Sequence, residues 1–444
     1  MKIKNILMGA VALFLTGSAF GQVTVDITGA TAFRAATLDT IKARYVASGV
    51  AFKYAHDQAA GGFNGSTRSI WNGTFNGIAN VTIRCSFNGS VEGINAIVNS
   101  PASNPTYLDN PAAFVAATAT LGGTEVASTT SPVIAAQSEA AFSDVSIAST
   151  PFVTDPEAPV DNPVGVVVFT MVASEGASAS LTNITSQGFR ALFGGGIQDL
   201  SLLTGNSADA GSLVFATGRN DGSGTRTAYL AETGYGISIP VNQYTVLTST
   251  STAITSIQRV PAGGVNDSDP GTAGIQPYPG QLTANRSVIW GQDIDGNGGY
   301  SSGSTLRGDM GKTATAVQVR EADYSVIIPS TPLTLVTWLS LNDALTARTN
   351  GAKILGYDGV TLNDFAVGGT TMSATDKSKV TNGHYAAWSF QQFFDRAVPA
   401  LSANQASVTS HIRTNIPANL AAAGIPLGDM AVGRASADGS TIQP

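Results

Sequence analysis

Residues 218–230 read GRNDGSGTRTAYL, and the reading of this stretch decides the fold. It follows the strand-like run SLVFATG (212–218) and leads into a helix-like segment. The first four N–H groups of a helix have no partner inside it, and the aligned peptides place partial positive charge there. Glycines let a ligand approach the backbone, and Ser and Thr add short donors. Arg219 adds a full charge with a fork that matches two oxygens. The pattern predicts a cradle for an anion with several oxygens, with Arg219, Ser223, Gly224 and Thr225 as donors. Asp221 cannot face an anion favourably, so its expected place is behind Arg219, fixing the guanidinium plane.

Three more segments carry the same signature: TGATAFRAA (28–36), NGSVEG (88–93) and GNGGYSSGS (296–304). Each reads as a turn into a helix. Taken singly, a glycine turn is only a helix start; four of them, one bearing charge and hydroxyls, make a ligand site the better reading.

Around these turns the chain alternates strands and helices. VTVDIT (23–28) alternates like a strand, and Phe33 to Val46 shows one apolar helical face. VTIRCSF (81–87) is strand-like and precedes a helix. PVGVVVFTMV (163–172) and YSVIIP (324–329) read as buried strands. Thr185 or Ser186 caps a helix that Gly194–Gly196 end, and SLNDALTARTNGAKIL (340–355) is a helix with a glycine stop. Strand, glycine turn, helix, repeated, predicts an α/β protein with open sheets and ligands at the strand C-termini. Residues 246–285 read as an extended loop or hairpin, 56–80 as an insertion, and 432–444 as a frayed tail.

Composition narrows the class. The chain has 444 residues, 43% of them hydrophobic and only 12% charged, which excludes global disorder. Residues 1–21 have the layout of a signal peptide: Lys2 and Lys4, an apolar run from Ile6 to Leu15, then Ala19 and Gly21. No cysteine follows the cleavage position, so no lipid anchor is expected, and no later run is long enough to span a membrane. The expected location is the periplasm or outside the cell. Net charge is −7, and loss of Lys2 and Lys4 makes it −9, a poor match to nucleic acid. Cys85 is the sole cysteine, expected to be buried and inert. His56, His384 and His411 lack metal-ligand spacing, and no cofactor or metal is expected.

The chain resembles the phosphate-binding proteins of periplasmic ABC transporters. TGATAF, GSVEGI (89–94), DVSIASTP (144–151), SLTNITSQGFRALFGGGI (180–197), RNDGSGT (219–225) and VTNGHYAAW (380–388) match that family's motifs in order. The resemblance implies the type II periplasmic-binding-protein fold: two α/β lobes, each an open mixed sheet flanked by helices, joined by two crossing hinge strands near 163–172 and 324–329. It divides the chain into 22–162 plus 330–444 as one lobe and 163–329 as the other. It implies capture of phosphate or a similar tetrahedral oxyanion between the lobes, without catalysis, and a transporter permease as partner. Carried over by position, the ligand residues are Arg219, Ser223, Gly224, Thr225 and Ser90, with Thr31 and the amides of Ala32 and Phe33 in the first turn. Thr150 stands where the family has a proton-accepting aspartate, and Glu92 is the carboxylate expected to replace it.

Three other readings remain. A secreted or surface protein with this fold could bind a different ligand or serve a structural role. GYSSG (299–303) matches a nucleophile elbow, with Ser301 as nucleophile and His384 or His411 downstream, but a loop precedes it. Asp293, Asp295, Asn297 and Gly298 resemble the start of a calcium loop whose twelfth place, Ser304, lacks the required Glu.

Overall fold

The computed structural model describes residues 22–57, 63–98, 104–109, 124–126, 132–260, 298–321, 325–362, 372–420 and 424–444. The expected signal peptide (1–21), the acidic positions of the calcium-like loop (293–297) and most of 246–285 lie outside them.

The fold is mixed α/β, organised around one long mixed sheet. Its first half contains β1 (Val23–Gly29), β2 (Lys53–His56), β3 (Arg68–Phe75), β4 (Ile78–Ser86) and β5 (Ala140–Ser143). β1 runs parallel to β4 and β5, and β3 pairs antiparallel with β4 and β2. The stretch read as an insertion is therefore sheet: its described residues from Arg68 onward form β3 and begin β4.

β6 (Pro163–Ala173) joins the halves. Its apolar run is buried from Val164 to Ala173, as a strand covered on both faces must be. The second half holds β7 (Leu213–Ala216), β8 (Leu333–Ser340) and β9 (Lys353–Tyr357), while β10 (Trp388–Asp395) returns to the first. The change of partner falls inside β6: Val168 pairs with Trp388 of β10, and the next residue, Phe169, pairs with Ser340 of β8. β6 is thus the crossing strand expected at 163–172.

The expectation for 324–329 does not hold. Residues Val326–Thr331 form a strand, but it edges a separate four-stranded sheet and is largely exposed. The buried strand is β8, which starts two residues later at Leu333. An apolar run alone does not say whether its surface is covered. The same small sheet contains Tyr244–Ser249 and Ile254–Arg259, so the start of the expected 246–285 loop is a hairpin.

Helices follow strand C-termini. α1 (Arg34–Ala47) follows β1 through a 3-10 turn at Thr31–Phe33, and α2 (Ser90–Val98) follows β4. α3 (Ser186–Gly195) has Thr185 as N-cap, accepting from the Gly188 amide, and stops at Gly196 with φ +79°. α4 (Gly224–Glu232) follows β7, α5 (Gly303–Met310) follows the Gly298–Ser302 turn, and α6 (Leu341–Thr349) follows β8 directly. Apolar packing fixes these elements. Under the first half-sheet, Trp71 stacks on Tyr54 at 4.6 Å, and Tyr45 on Phe52 at 5.2 Å. In the second half, Trp338 meets Tyr229 edge-on at 3.8 Å. Each large buried side chain contributes roughly 1.5–3 kcal/mol. Cys85 is buried among these groups, and burial pushes its thiol up to about 12, so it is inert as expected.

Candidate functional site

The turns singled out in the sequence meet. The Gly89 amide donates to the Gly29 carbonyl at 2.9 Å, and a β-carbon on Gly93 would lie 2.6 Å from Gly29 Cα. The 28–33 and 88–93 turns are therefore packed backbone to backbone. The α2 tip then meets the 222–225 turn. The Val91 and Glu92 amides donate to Gly222 O at 3.0 and 3.3 Å. A β-carbon on Gly224 would stand 2.2 Å from Ser90 Oγ. Only glycine permits this approach of two helix N-termini. The fourth turn joins through Arg219, which bridges to Tyr300 in parallel register.

Arg219 is buried at the centre of this junction. Its Nε donates to Tyr300 O at 2.9 Å and its Nη2 to Ser301 O at 2.7 Å. These carbonyls, and not Asp221, set the guanidinium plane. The charge of Asp221 acts instead on Arg226, whose Nη1 donates to Arg219 O at 3.3 Å. Two positions along the extended turn carry Asp221 past Arg219 towards the first turn of α4. Burial brings the Arg219 pKa down to about 10, opposed by Asp343 and Asp144 and assisted by Arg34.

Four charged residues thus join Arg219 without having been chosen from sequence. Asp144 is buried, and its amide donates to Ser90 Oγ at 3.0 Å. Burial pushes its carboxyl up to about 7, against the pull of Arg219 and Ser90, with Asp343 and Asp438 adding to the rise. Its Oδ1 is buried and has no hydrogen-bond partner among the described residues. Asp343 lies in the first turn of α6, where its Oδ1 accepts from Arg307 Nη1 at 2.7 Å and its Oδ2 from Ser340 Oγ at 3.1 Å. Gly303, first residue of α5, leaves room for both Asp343 and Arg219: a β-carbon there would lie 2.3 Å from Asp343 Oδ2 and 3.6 Å from Arg219 Nη1. Arg34, first residue of α1, is buried with its Nε donating to Asn64 O at 3.2 Å. Burial lowers its pKa, Asp343 opposes and Arg307 adds. The N-termini of α1, α2, α4, α5 and α6 thus surround three guanidinium groups and two carboxylates.

The other expected residues fall as follows. Ser223 caps α4, accepting from the Arg226 amide at 3.3 Å. Thr225 is buried and, with Arg219, lines a small cleft against Phe189, Tyr229 and Trp338. Thr31, Ala32 and Phe33 form the 3-10 turn ahead of α1, and Ala32 lines a second small cleft beside Val167 and Ser340. Thr150 spends its hydroxyl on its own turn, donating to Ile147 O at 2.8 Å and accepting from the Phe152 amide at 3.3 Å. Glu92 packs over Gly222, half-buried, with its Oε1 3.2 Å from where a Gly222 β-carbon would be. The buried carboxylate beside Ser90 is Asp144, six residues before Thr150. It stood in the quoted DVSIASTP motif, and the signal that could have marked it was an acid directly after the strand Ala140–Ser143.

The hydrolase reading gains no support. Among the described residues only an isolated bridge at Tyr300, not a strand, precedes Ser301. His411 packs edge-on to Phe75 at 5.5 Å, and His384 is exposed in a turn. No cluster of His, Cys, Asp and Glu suited to a metal occurs among the described residues, and no described helix is long and apolar enough to cross a membrane.

No family model and no curated protein matches the chain. Solved structures similar to it include the following three. One is a putative phosphate ABC transporter substrate-binding protein from Clostridium perfringens with bound phosphate, 13% identical, covering 91% of this chain and 99% of that one at a TM-score of 0.43. Another is an ABC-type phosphate transport receptor from Vibrio cholerae, 11% identical, with 88% and 93% covered and a TM-score of 0.38. The third is PstS from Borrelia burgdorferi, 12% identical, with 89% and 92% covered and a TM-score of 0.34. All three TM-scores are low, so these likenesses decide nothing about what this chain binds.

Proposed function

We infer that the protein binds phosphate or a similar tetrahedral oxyanion between two lobes, 22–162 plus 330–444 and 163–329, and carries out no catalysis. One observation carries the reading: a buried arginine stands where five helix N-termini converge. Three guanidinium groups face two carboxylates there, one of them, Asp144, titrating near 7. A bound anion would lie against Arg219 and the surrounding helix N-termini. Charge-assisted hydrogen bonds contribute about 1.5–3 kcal/mol each, and micromolar binding needs about 8 kcal/mol beyond the cost of association. A few donors from Arg219, Ser223, Gly224 and Thr225 reach that range. Asp144, and not Thr150 or Glu92, then accepts the proton of a protonated oxyanion through its unpartnered Oδ1.

On this reading the contact of Ser90 with Gly224 is the shut arrangement, and the ligand enters when the halves part about β6. The expected signal peptide places the protein in the periplasm or outside the cell, where a transporter permease is the partner. Titration calorimetry with phosphate and sulfate tests the reading. Phosphate binds the wild-type chain, and Arg219→Ala loses at least about a hundredfold in affinity while staying folded. Equal phosphate affinity in both proteins would remove the site.

A further inference from the structure

The composition of residues 432–444 reads as a frayed tail, and the structure contradicts it. Arg434 buries its guanidinium. Its Nη2 donates to Glu232 Oε2 at 2.8 Å and to the carbonyls of Ala386 and Trp388 at 2.6 and 2.8 Å. Its Nη1 donates to Ser440 O at 2.8 Å, and the group lies 4.6 Å from the Trp388 ring centroid. Asp438 Oδ2 accepts from the Ser146 amide at 2.8 Å, Ser146 Oγ at 3.1 Å and Ser149 Oγ at 2.7 Å. The Asp438 amide donates back to Ser149 Oγ at 3.2 Å. Gly439, with φ +72°, lies so close to α4 that a β-carbon would stand 2.4 Å from Ala231 O.

These anchors lie on both sides of the crossing strand. Ser146 and Ser149 precede β6 in the chain, whereas Ala231 and Glu232 belong to α4, after it. Each anchor also runs straight into the candidate site. Asp144 is two residues before Ser146, and the opposite end of α4 is Gly224, which meets Ser90. A tie between the 146–149 turn and the far end of α4 therefore limits how far Asp144 and Ser90 can draw away from Gly224. Its bonds are of two kinds: an internal ion pair, Arg434 with Glu232, and a carboxylate oxygen, Asp438 Oδ2, that accepts from three donors. Removing one partner of either leaves a buried group uncompensated, so the tie is expected to let go as a unit.

We propose that residues 432–444 are an intramolecular latch that holds the two halves shut and must be released for the site to open. The latch rests on the reading that the halves part about β6, but not on which ligand the site takes.

Hydrogen exchange read by mass spectrometry, with no ligand added, tests it on the full chain. In Asp438→Ala, peptides covering 86–98 and 222–230 exchange about tenfold faster than in the wild type, while those covering 164–173 keep their rates. If Asp438→Ala does not fold, Ser149→Ala, which removes two tail bonds, shows the same pattern at about two- to fivefold. The latch is overturned if only 146–150 and 432–444 speed up. It is equally overturned if 164–173 accelerates as much as the site peptides, since that marks general loss of stability. Because phosphate is absent from the experiment, failure of oxyanion binding would leave its result untouched.

Discussion

Ser90 and Gly224 stand in direct contact: any β-carbon at Gly224 would overlap both Ser90 Oγ, at 2.2 Å, and Ser90 Cβ, at 2.4 Å. Two helices that begin in distant parts of the chain thereby bring their positive ends to one place. The relationship explains a glycine at the first position of α4, where propensity alone would prefer almost any other residue.

Gly224→Ala should force the two tips apart. Overpacking of this kind costs about 1–3 kcal/mol, and phosphate affinity should fall with it. Thermal melting and calorimetry measure both. Adding Ser90→Gly removes the overlapping atoms, so the double variant should recover most of the lost stability. If the double variant melts as low as Gly224→Ala alone, the contact is not what requires glycine.

Asp144 gives a pH dependence with a definite sign. Its folded pKa is about 7, above the ordinary carboxylate value of 3.8, so the folded protein holds the proton more tightly than the unfolded chain. The stability this lends is complete below the unfolded value and is lost as pH rises through about 7. The shift corresponds to on the order of a few kcal/mol. Glu139 and Glu232, each also near 7 through burial, act in the same direction. Unfolding by urea should therefore need more denaturant at pH 5.5 than at pH 8. Asp144→Asn should reduce that difference by stabilising the ligand-free protein at pH 8. An unaltered pH slope in Asp144→Asn would show that the carboxyl is already ionised.

Arg34 tests whether the first turn takes part. Its charge acts on Asp343 across the junction, although Arg34 lies on α1 and Asp343 on α6. Arg34→Met keeps much of the apolar stem and removes the charge. Phosphate binding should weaken by about tenfold or more, with steeper loss at high salt in the wild type than in the variant. Identical affinity and identical salt dependence would place Arg34 outside the site.

Asp221 should matter to stability and little to binding. Its charge acts on Arg226 behind the α4 tip, while Arg219 is held by the carbonyls of Tyr300 and Ser301. Asp221→Asn should cost about 1–3 kcal/mol in unfolding experiments, the range for a hydrogen-bonded charge that loses its partner. Its phosphate affinity should stay within about threefold of wild type. A loss as large as that of Arg219→Ala would restore the orienting role that the sequence suggested.

Much of the local structure was legible in the chain. β1, β4, β6, β7 and the helices after them stand within a few residues of where periodicity and turn residues place them. The caps at Thr185 and Gly196 act as their residue types predict, whereas Ser223, read as an anion donor, caps α4. These features depend on neighbours in sequence: backbone sterics, hydroxyls reaching the next turn, and apolar spacing. The turns at 28–33, 88–93 and 219–225 were visible for the same reason.

Three features were not legible. The strand at 326–331 opens with Val326–Ile328, an apolar run like that of a buried strand, yet it edges its sheet and is largely exposed. The polar tail looked frayed because its partners, Glu232, Ser146 and Ser149, lie some two to three hundred residues away. The site's carboxylates and additional arginines were hidden for the same cause. Asp144, Asp343, Arg34 and Arg307 are ordinary residues in their own segments. They become a charged cluster only when five helices end at one point. The sequence by itself determined β1, β4, β6 and β7, the turns that lead into α1, α2 and α4, and that Arg219 sits beside the last of these turns. Tertiary structure alone decided which charges share the space around Arg219, because Coulomb forces and burial act through distance in space and not along the chain.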